Sequence, residues 1–219
     1  MKRLDKKTLQ RLLKLTVHVG ALIPLALIIW DYTQGNLGAE PIREITLRTG
    51  KTAIVLLMLT LAITPAHIWL GWKQIIPLRR LLGLYTFLYA ALHLAIFLGL
   101  DYLLDPQLIM EALFSKRYAL IGLAAFLIML PLAITSTRSA MRKMGKKWKS
   151  LHKWVYVAGV LAVLHYLLLV KNSYTEPLIF VVVLSFLLLT RVKPIRKTIL
   201  QWRRNVENWR VRRSLVTKQ

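Results

Sequence analysis

The five histidines are the residues of this 219-residue chain whose chemistry is hardest to explain as packing, and no cysteine shares it with them. His93 is the only histidine, acid or base between Arg80 and Asp101, and His165 stands alone in the same way after Lys153. A titratable group inside an apolar run is costly in lipid and needs a partner or a cofactor. The absence of cysteine excludes disulfides, thiolate-held iron–sulfur clusters and covalent haem attachment. Any iron must therefore be held by histidine or, less simply, methionine. Two neutral imidazoles on one iron leave no open coordination position, which suits electron transfer rather than oxygen or substrate binding.

The elements that must position these histidines are apolar blocks. Positions 81–100 run twenty residues without a charge, and so do positions 118–137. About 20 mostly apolar residues suffice to cross the hydrocarbon layer. Six such runs emerge, at about 15–32, 52–70, 81–100, 118–137, 154–170 and 175–192. They predict an all-α, polytopic membrane protein, a six-transmembrane-helix bundle. The sixth run is the weakest, with an uncharged core of only fourteen residues, Pro177 to Thr190. The first is long, follows a basic segment and lacks a small-residue cleavage site, so it reads as a membrane helix and not as a signal peptide. The expected organisation is a basic N-terminal segment over 1–14, a membrane domain over 15–192 and a basic tail over 193–219, with no soluble domain and no internal repeat. The tail is expected to form an amphipathic surface helix with Trp202 and Trp209 at the interface.

Of the 32 lysines and arginines, 26 fall in the two ends and the second and fourth connections, and 6 in the first, third and fifth. Asp31, Glu40, Glu44, Asp101, Asp105, Glu111 and Glu176 all fall on the lysine- and arginine-poor side. Such a bias in short loops predicts both termini on the cytoplasmic side of the membrane. It also explains the net charge of +23. Basic residues confined to the gaps between apolar blocks suit anionic lipid, whereas a nucleic-acid binder would mix them into a soluble fold, so no nucleic-acid partner is expected.

In this topology the third and fifth helices both run outward, with His93 and His165 each about twelve residues, or ~18 Å, above the cytoplasmic ends. Matched depth on parallel helices makes them a candidate pair of axial metal ligands. Two buried histidines hydrogen-bonded to the backbone would fit the same pattern. His152, thirteen residues before His165, lies ~19 Å lower and cannot share its iron. The corresponding positions low on the third helix are Arg79 and Arg80. Arginine is a poor metal ligand but pairs well with carboxylate or phosphate, so a second, inner site would be asymmetric or absent. His18 reads as a packed polar residue or a contact to a cofactor or quinone headgroup, and His67, after Pro65, as interfacial. The basic connection from Arg138 to Lys153 follows from the charge bias, and would also receive a flavin phosphate or an acidic electron donor.

The run RRLLGLYTFLYAALHL (Arg79–Leu94), the element G-x-x-W-x-x-L-H (Gly145–His152) with a histidine thirteen residues on, GNLGAEPIREITLRTGK (Gly35–Lys51) and the ITP of Ile63–Pro65 together resemble the MsrQ (YedZ) family. That family comprises haem-binding membrane subunits within the ferric-reductase-like transmembrane superfamily. The resemblance implies haem b held by His93, His165 and His152, with Arg79 and Arg80 beside the cofactors, and a flavin mononucleotide (FMN). It implies electron delivery, from quinol or a cytosolic flavin reductase, to MsrP, a periplasmic molybdopterin methionine sulfoxide reductase that repairs oxidised envelope proteins. On this expectation the chain is an electron-transfer subunit and not the catalytic reductase. The alternative is a ferric-reductase- or NADPH-oxidase-like carrier working with a separate flavoprotein, since the 28 residues after Arg191 contain no glycine for a dinucleotide-binding unit.

Overall fold

The computed structural model describes residues 5–171 and 173–216, and among these it is helical without a strand. The helices are α1 (Lys6–Thr33), α2 (Pro41–Leu70), α3 (Leu78–Ile96), α4 (Pro106–Ser115), α5 (Arg117–Ile134), α6 (Arg138–Met144), α7 (Lys146–Leu151), α8 (Val155–Leu169), α9 (Thr175–Leu189) and α10 (Lys193–Val216). Five stretches are long and apolar enough to cross a membrane: α1, α2, α3 with its flanking turns over Lys73–Asp101, α5, and α7 with α8 over Lys146–Leu169. A sixth candidate is α9, only 15 residues long, which is long and apolar enough only together with the start of α10 across a bend of 76°. The chain is thus an all-α, multi-pass membrane protein.

Two expected connections are themselves helical. The third holds α4, started by Pro106 and capped by the Asp105 carboxylate, which accepts from the Gln107 and Leu108 amides at 2.8 and 3.2 Å. The fourth is folded into α6 and α7, broken at Gly145, whose φ of 51° is left-handed backbone that favours glycine. Hydropathy hides both because their polar faces interrupt the apolar runs. For the same reason α2 begins at Pro41 and not near residue 52: its first three turns carry Glu44, Arg43 and Arg48, yet proline at the first helical position starts a helix well.

The bundle is organised around α2. Of its most apolar window 44% is buried, against 11% for α1, so α2 is central and α1 peripheral. One core cluster joins Ile54, Leu57, Met58 and Leu61 of α2 to Val163 of α8 and to Leu184 and Leu187 of α9. The other joins Ala21 of α1, Leu56 of α2, and Leu78, Leu82 and Tyr89 of α3. Two antiparallel pairs dominate the packing, α2 against α3 and α5 against α8.

The proline inside α2 leaves a carbonyl that another element satisfies. Pro65 has no N–H to give to Leu61, and the Arg191 guanidinium, entering from the α9–α10 bend, donates to that Leu61 carbonyl at 2.6 Å. Arg191 also donates to the Tyr156 hydroxyl and lies 4.7 Å from that ring's centre. In α1, beside Pro24, the buried Tyr89 hydroxyl donates to the Ala21 carbonyl at 2.6 Å and accepts from the Leu25 amide at 3.0 Å. It is spliced into one rung of that helix's hydrogen-bond ladder.

Tail helix α10 turns back toward the basic end of α2. Trp202 packs at 6.1 Å from Trp69, and Arg203 donates to the Ile68 carbonyl at 3.3 Å, over the left-handed Gly71 that ends α2. Trp209 is exposed. The tail is thus helical, as its composition led us to expect.

Candidate functional site

His93 and His165 meet. Their rings lie 6.1 Å apart, centre to centre, with planes crossed at 82°. Each is anchored in the same manner by the helix antiparallel to its own. The His93 Nδ1 donates to the Thr46 carbonyl of α2 at 2.9 Å, and the His165 Nδ1 to the Tyr118 carbonyl of α5 at 2.7 Å. A carbonyl oxygen can only accept, so Nδ1 carries the proton in both rings and Nε2 keeps its lone pair. That tautomer is the one a metal-binding imidazole needs, and the carbonyl is the usual outer partner that fixes its orientation.

The close approach of ring to helix depends on glycine. A Cβ placed on Gly50 of α2 would lie 3.0 Å from Nδ1 and Cε1 of His93, and one on Gly122 of α5 would lie 2.7 and 2.9 Å from the same atoms of His165. Position by position the two hairpins correspond with an offset of 72 residues: Thr46 with Tyr118, Gly50 with Gly122, His93 with His165. No internal repeat was expected from the sequence, and side-chain identity indeed carries little of one. The repetition is one of backbone geometry, visible only as equal spacings of 43 and 47 residues before each histidine.

Beyond the pair, toward the mixed-charge end, Lys51 donates to both Glu176 oxygens at 2.9 and 3.0 Å, and the Tyr166 hydroxyl donates to the same carboxylate at 2.7 Å. This network ties α2, α8 and α9 together one residue from Gly50 and from His165. Just outside α5, Lys116 donates to the Tyr102 hydroxyl at 2.7 Å, and that bond holds its ammonium above the ordinary lysine range. The start of α5 is thereby fixed less than one turn from Tyr118.

His152 is remote from that pair. It begins a single 3-10 turn between α7 and α8, stacks on Trp148 at 3.8 Å, and gives its Nδ1 proton to the Trp148 carbonyl at 3.1 Å. Its Nε2 faces the Ser136 hydroxyl at 3.4 Å. Trp148 is held in turn by its indole N–H on the Thr135 carbonyl at 2.9 Å, so the G-x-x-W-x-x-L-H element is a structural unit. Across the bundle Arg79 donates to the Thr64 hydroxyl at 3.3 Å, and Thr64 and Ser136 are again 72 residues apart. Arg79 lies within Coulombic range of both His152 and Arg191. Arg80 is exposed on the first turn of α3 and makes no hydrogen bond or ion pair among the described residues.

The two remaining histidines lie apart from the pair. His18 is exposed on α1 and its Nδ1 is 2.7 Å from the Tyr85 hydroxyl. His67 is half-buried near the end of α2, and its Nδ1 has no hydrogen-bond partner among the described residues. Sequence reasoning missed Gly50, Gly122, the two carbonyls and Arg191. The glycines carried a signal in their equal distance from the histidines. Arg191 carried none beyond its position after an apolar run.

The crossed pair of inward-facing imidazoles, anchored by two antiparallel helix pairs, lies within a membrane protein of the ferric-reductase-like class. Residues 49–163 match the family described as "Ferric reductase like transmembrane component". The chain is 41% identical over 189 residues to the protein-methionine-sulfoxide reductase heme-binding subunit MsrQ of Rhodospirillum rubrum, covering 86% of this chain and 91% of that protein. It is 44% identical over 185 residues to the MsrQ of Xanthomonas axonopodis pv. citri, covering 82% and 85%. This chain belongs to the MsrQ family. No solved structure matches it.

Proposed function

We propose that this protein is the haem b-binding electron-transfer subunit of a methionine sulfoxide reductase system, with His93 and His165 as the two axial ligands. The observation that carries the reading is the pair itself: two imidazoles 6.1 Å apart with both Nδ1 atoms committed to backbone carbonyls. Metal–imidazole bonds run about 2.0–2.1 Å and the ring centre lies roughly 1 Å beyond the nitrogen, so one ion between two rings needs a separation of about 6 Å. The donor set and spacing therefore fit a six-coordinate haem. The names of the relatives, each a haem-binding subunit, support the same cofactor.

Haem, when bound, supplies one-electron chemistry at iron, and the protein supplies position and electrostatics. His93 and His165 would hold the iron through their Nε2 atoms, and two such ligands would leave oxygen and substrate no position on the metal. The Thr46 and Tyr118 carbonyls fix the ring orientations and raise ligand basicity. At the basic end, a second, asymmetric site would use the His152 Nε2, which in this structure faces the Ser136 hydroxyl. There Arg79 and Arg80 would bind a propionate or the phosphate of FMN, which a permanently charged guanidinium does well. With the basic end on the cytoplasmic side of the inner membrane, electrons enter there from quinol or a cytosolic flavin reductase. They leave at the mixed-charge end to the periplasmic enzyme MsrP.

The test is an absorption spectrum of purified protein, oxidised and reduced, followed by reoxidation on adding MsrP and methionine sulfoxide. A reduced haem b spectrum lost in His93→Ala and in His165→Ala is the expected result. Full haem content in both variants would overturn the ligand assignment. A haem reoxidised by ferric chelates and indifferent to MsrP would favour a general ferric-reductase-like carrier.

A further inference from the structure

Gly50 and Gly122 are ordinary helical residues, neither at a positive φ nor at a helix end, so backbone freedom does not explain them. What sets them apart is contact. Each faces the Nδ1–Cε1 edge of a histidine, and each lies four residues after the carbonyl that accepts from that Nδ1. Carbonyl and glycine thus form one slot on the helix surface: the oxygen holds one atom of the ring, and the missing side chain admits the rest. The slot leaves the ring little freedom to turn about its Cβ–Cγ bond.

The slots occur on two different helices, and the planes they impose are crossed at 82°. We propose that Gly50 and Gly122, each with the carbonyl one turn before it, are positioning residues that set the two imidazole planes perpendicular. This rests on the reading of His93 and His165 as axial ligands of one haem. Each imidazole donates π density to the iron orbital normal to its own plane. Crossed planes load two orbitals equally and keep them nearly degenerate, whereas parallel planes load one and split them. Ferric low-spin iron with near-degenerate orbitals gives one dominant low-field line in electron paramagnetic resonance, and split orbitals give a rhombic three-line spectrum. The crossed arrangement also spreads ligand donation evenly, so rotation of either ring moves the reduction potential.

The two slots differ in tightness. At Gly122 the added Cβ would come within 2.7 Å, closer than real contacts allow, and at Gly50 within 3.0 Å, a distance a small ring movement relieves. Gly122→Ala should therefore perturb more than Gly50→Ala.

The experiment is paramagnetic resonance and redox titration of the haem-loaded, detergent-purified full chain, with its Gly122→Ala, Gly50→Ala and Gly20→Ala variants. Gly20 is the control, because a Cβ there meets nothing within 4 Å. The expected result is a single low-field line in the parent and in Gly20→Ala. It should be converted toward a rhombic spectrum with a shifted potential in Gly122→Ala, and by a smaller step in Gly50→Ala. If Gly122→Ala does not fold, the milder Gly50→Ala decides. A rhombic parent spectrum, or a Gly50→Ala spectrum identical to the parent, overturns the proposal. Failure of the underlying reading is distinguishable: the low-spin signal would then survive in His93→Ala and His165→Ala, which no failure of the glycine argument alone would produce.

Discussion

The α2–α3 and α5–α8 hairpins agree at the level of His93 and His165 and part company at the basic end. Where the two rings meet, each hairpin offers the same three parts at the same spacings: a carbonyl, a glycine one turn later and an imidazole on the partner helix. Lower down, α5–α8 contributes His152, bound near Ser136 and stacked on Trp148, while α2–α3 contributes Arg79, bound to Thr64. The hydroxyls correspond but the basic groups do not. A group that must share a metal has to be matched by its partner, since both axial bonds are made to one ion. A group that binds an anionic edge has no such twin to satisfy. The level at which the hairpins are alike is where we place the bis-imidazole site. The level at which they differ suits an unsymmetrical ligand with a negative edge.

The strongest break in that comparison would come from the paired histidines. His93→Ala and His165→Ala should each remove the six-coordinate haem completely, with the loss equal in both, as read from the reduced absorption spectrum; retention in one variant alone would end the equivalence of the hairpins. Next in size is His152→Ala. It should leave the low-spin signal of the upper pair intact while lowering total haem or flavin per protein. Unchanged stoichiometry of both cofactors would mean that the lower ends differ for packing reasons only. A smaller effect is expected from Arg191→Met, which leaves the Leu61 carbonyl unpaired beside Pro65. We expect a loss of about 1–3 kcal/mol in detergent unfolding, and much less when Pro65→Ala restores a backbone donor. Additive effects of the two changes would show that the guanidinium does not serve that carbonyl. Smallest is Glu176→Gln beyond the histidine pair. Its ion pair with Lys51 is half exposed on both sides, so at most about 1 kcal/mol is at stake, and haem content should not change.

Much of this was legible in composition and spacing. Six apolar runs gave the bundle, because lipid demands long uncharged stretches whatever else a helix does. The equal depth of His93 and His165 followed from helix rise alone, and the two rings do lie side by side. The features that escaped share a physical cause. The carbonyls of Thr46 and Tyr118 are main-chain groups that any residue supplies, so they leave no trace in residue type. Gly50 and Gly122 matter for what they lack. α4, α6 and α7 were hidden because short helices interrupted by polar residues show neither a long apolar run nor a loop composition. The ~19 Å offset of His152 from His165 assumes one continuous α-helix. The 3-10 turn at His152–Trp154 breaks that assumption, since its pitch and residues per turn differ from those of an α-helix.

The Tyr89 hydroxyl inside the ladder of α1 bears on how the bundle comes together. Only about a tenth of α1's most apolar window is covered by protein, and lipid solvates its remaining surface as well as a neighbouring helix would. Greasy contact therefore gives α1 scant preference for any height or rotation. A phenol that reaches one specific broken rung, beside Pro24, supplies the missing choice, like a key cut for a single ward. Insertion of the first helix and its final seating are consequently separable events, and a chain carrying Tyr89→Phe should still cross the bilayer yet lose its fixed alignment against α3.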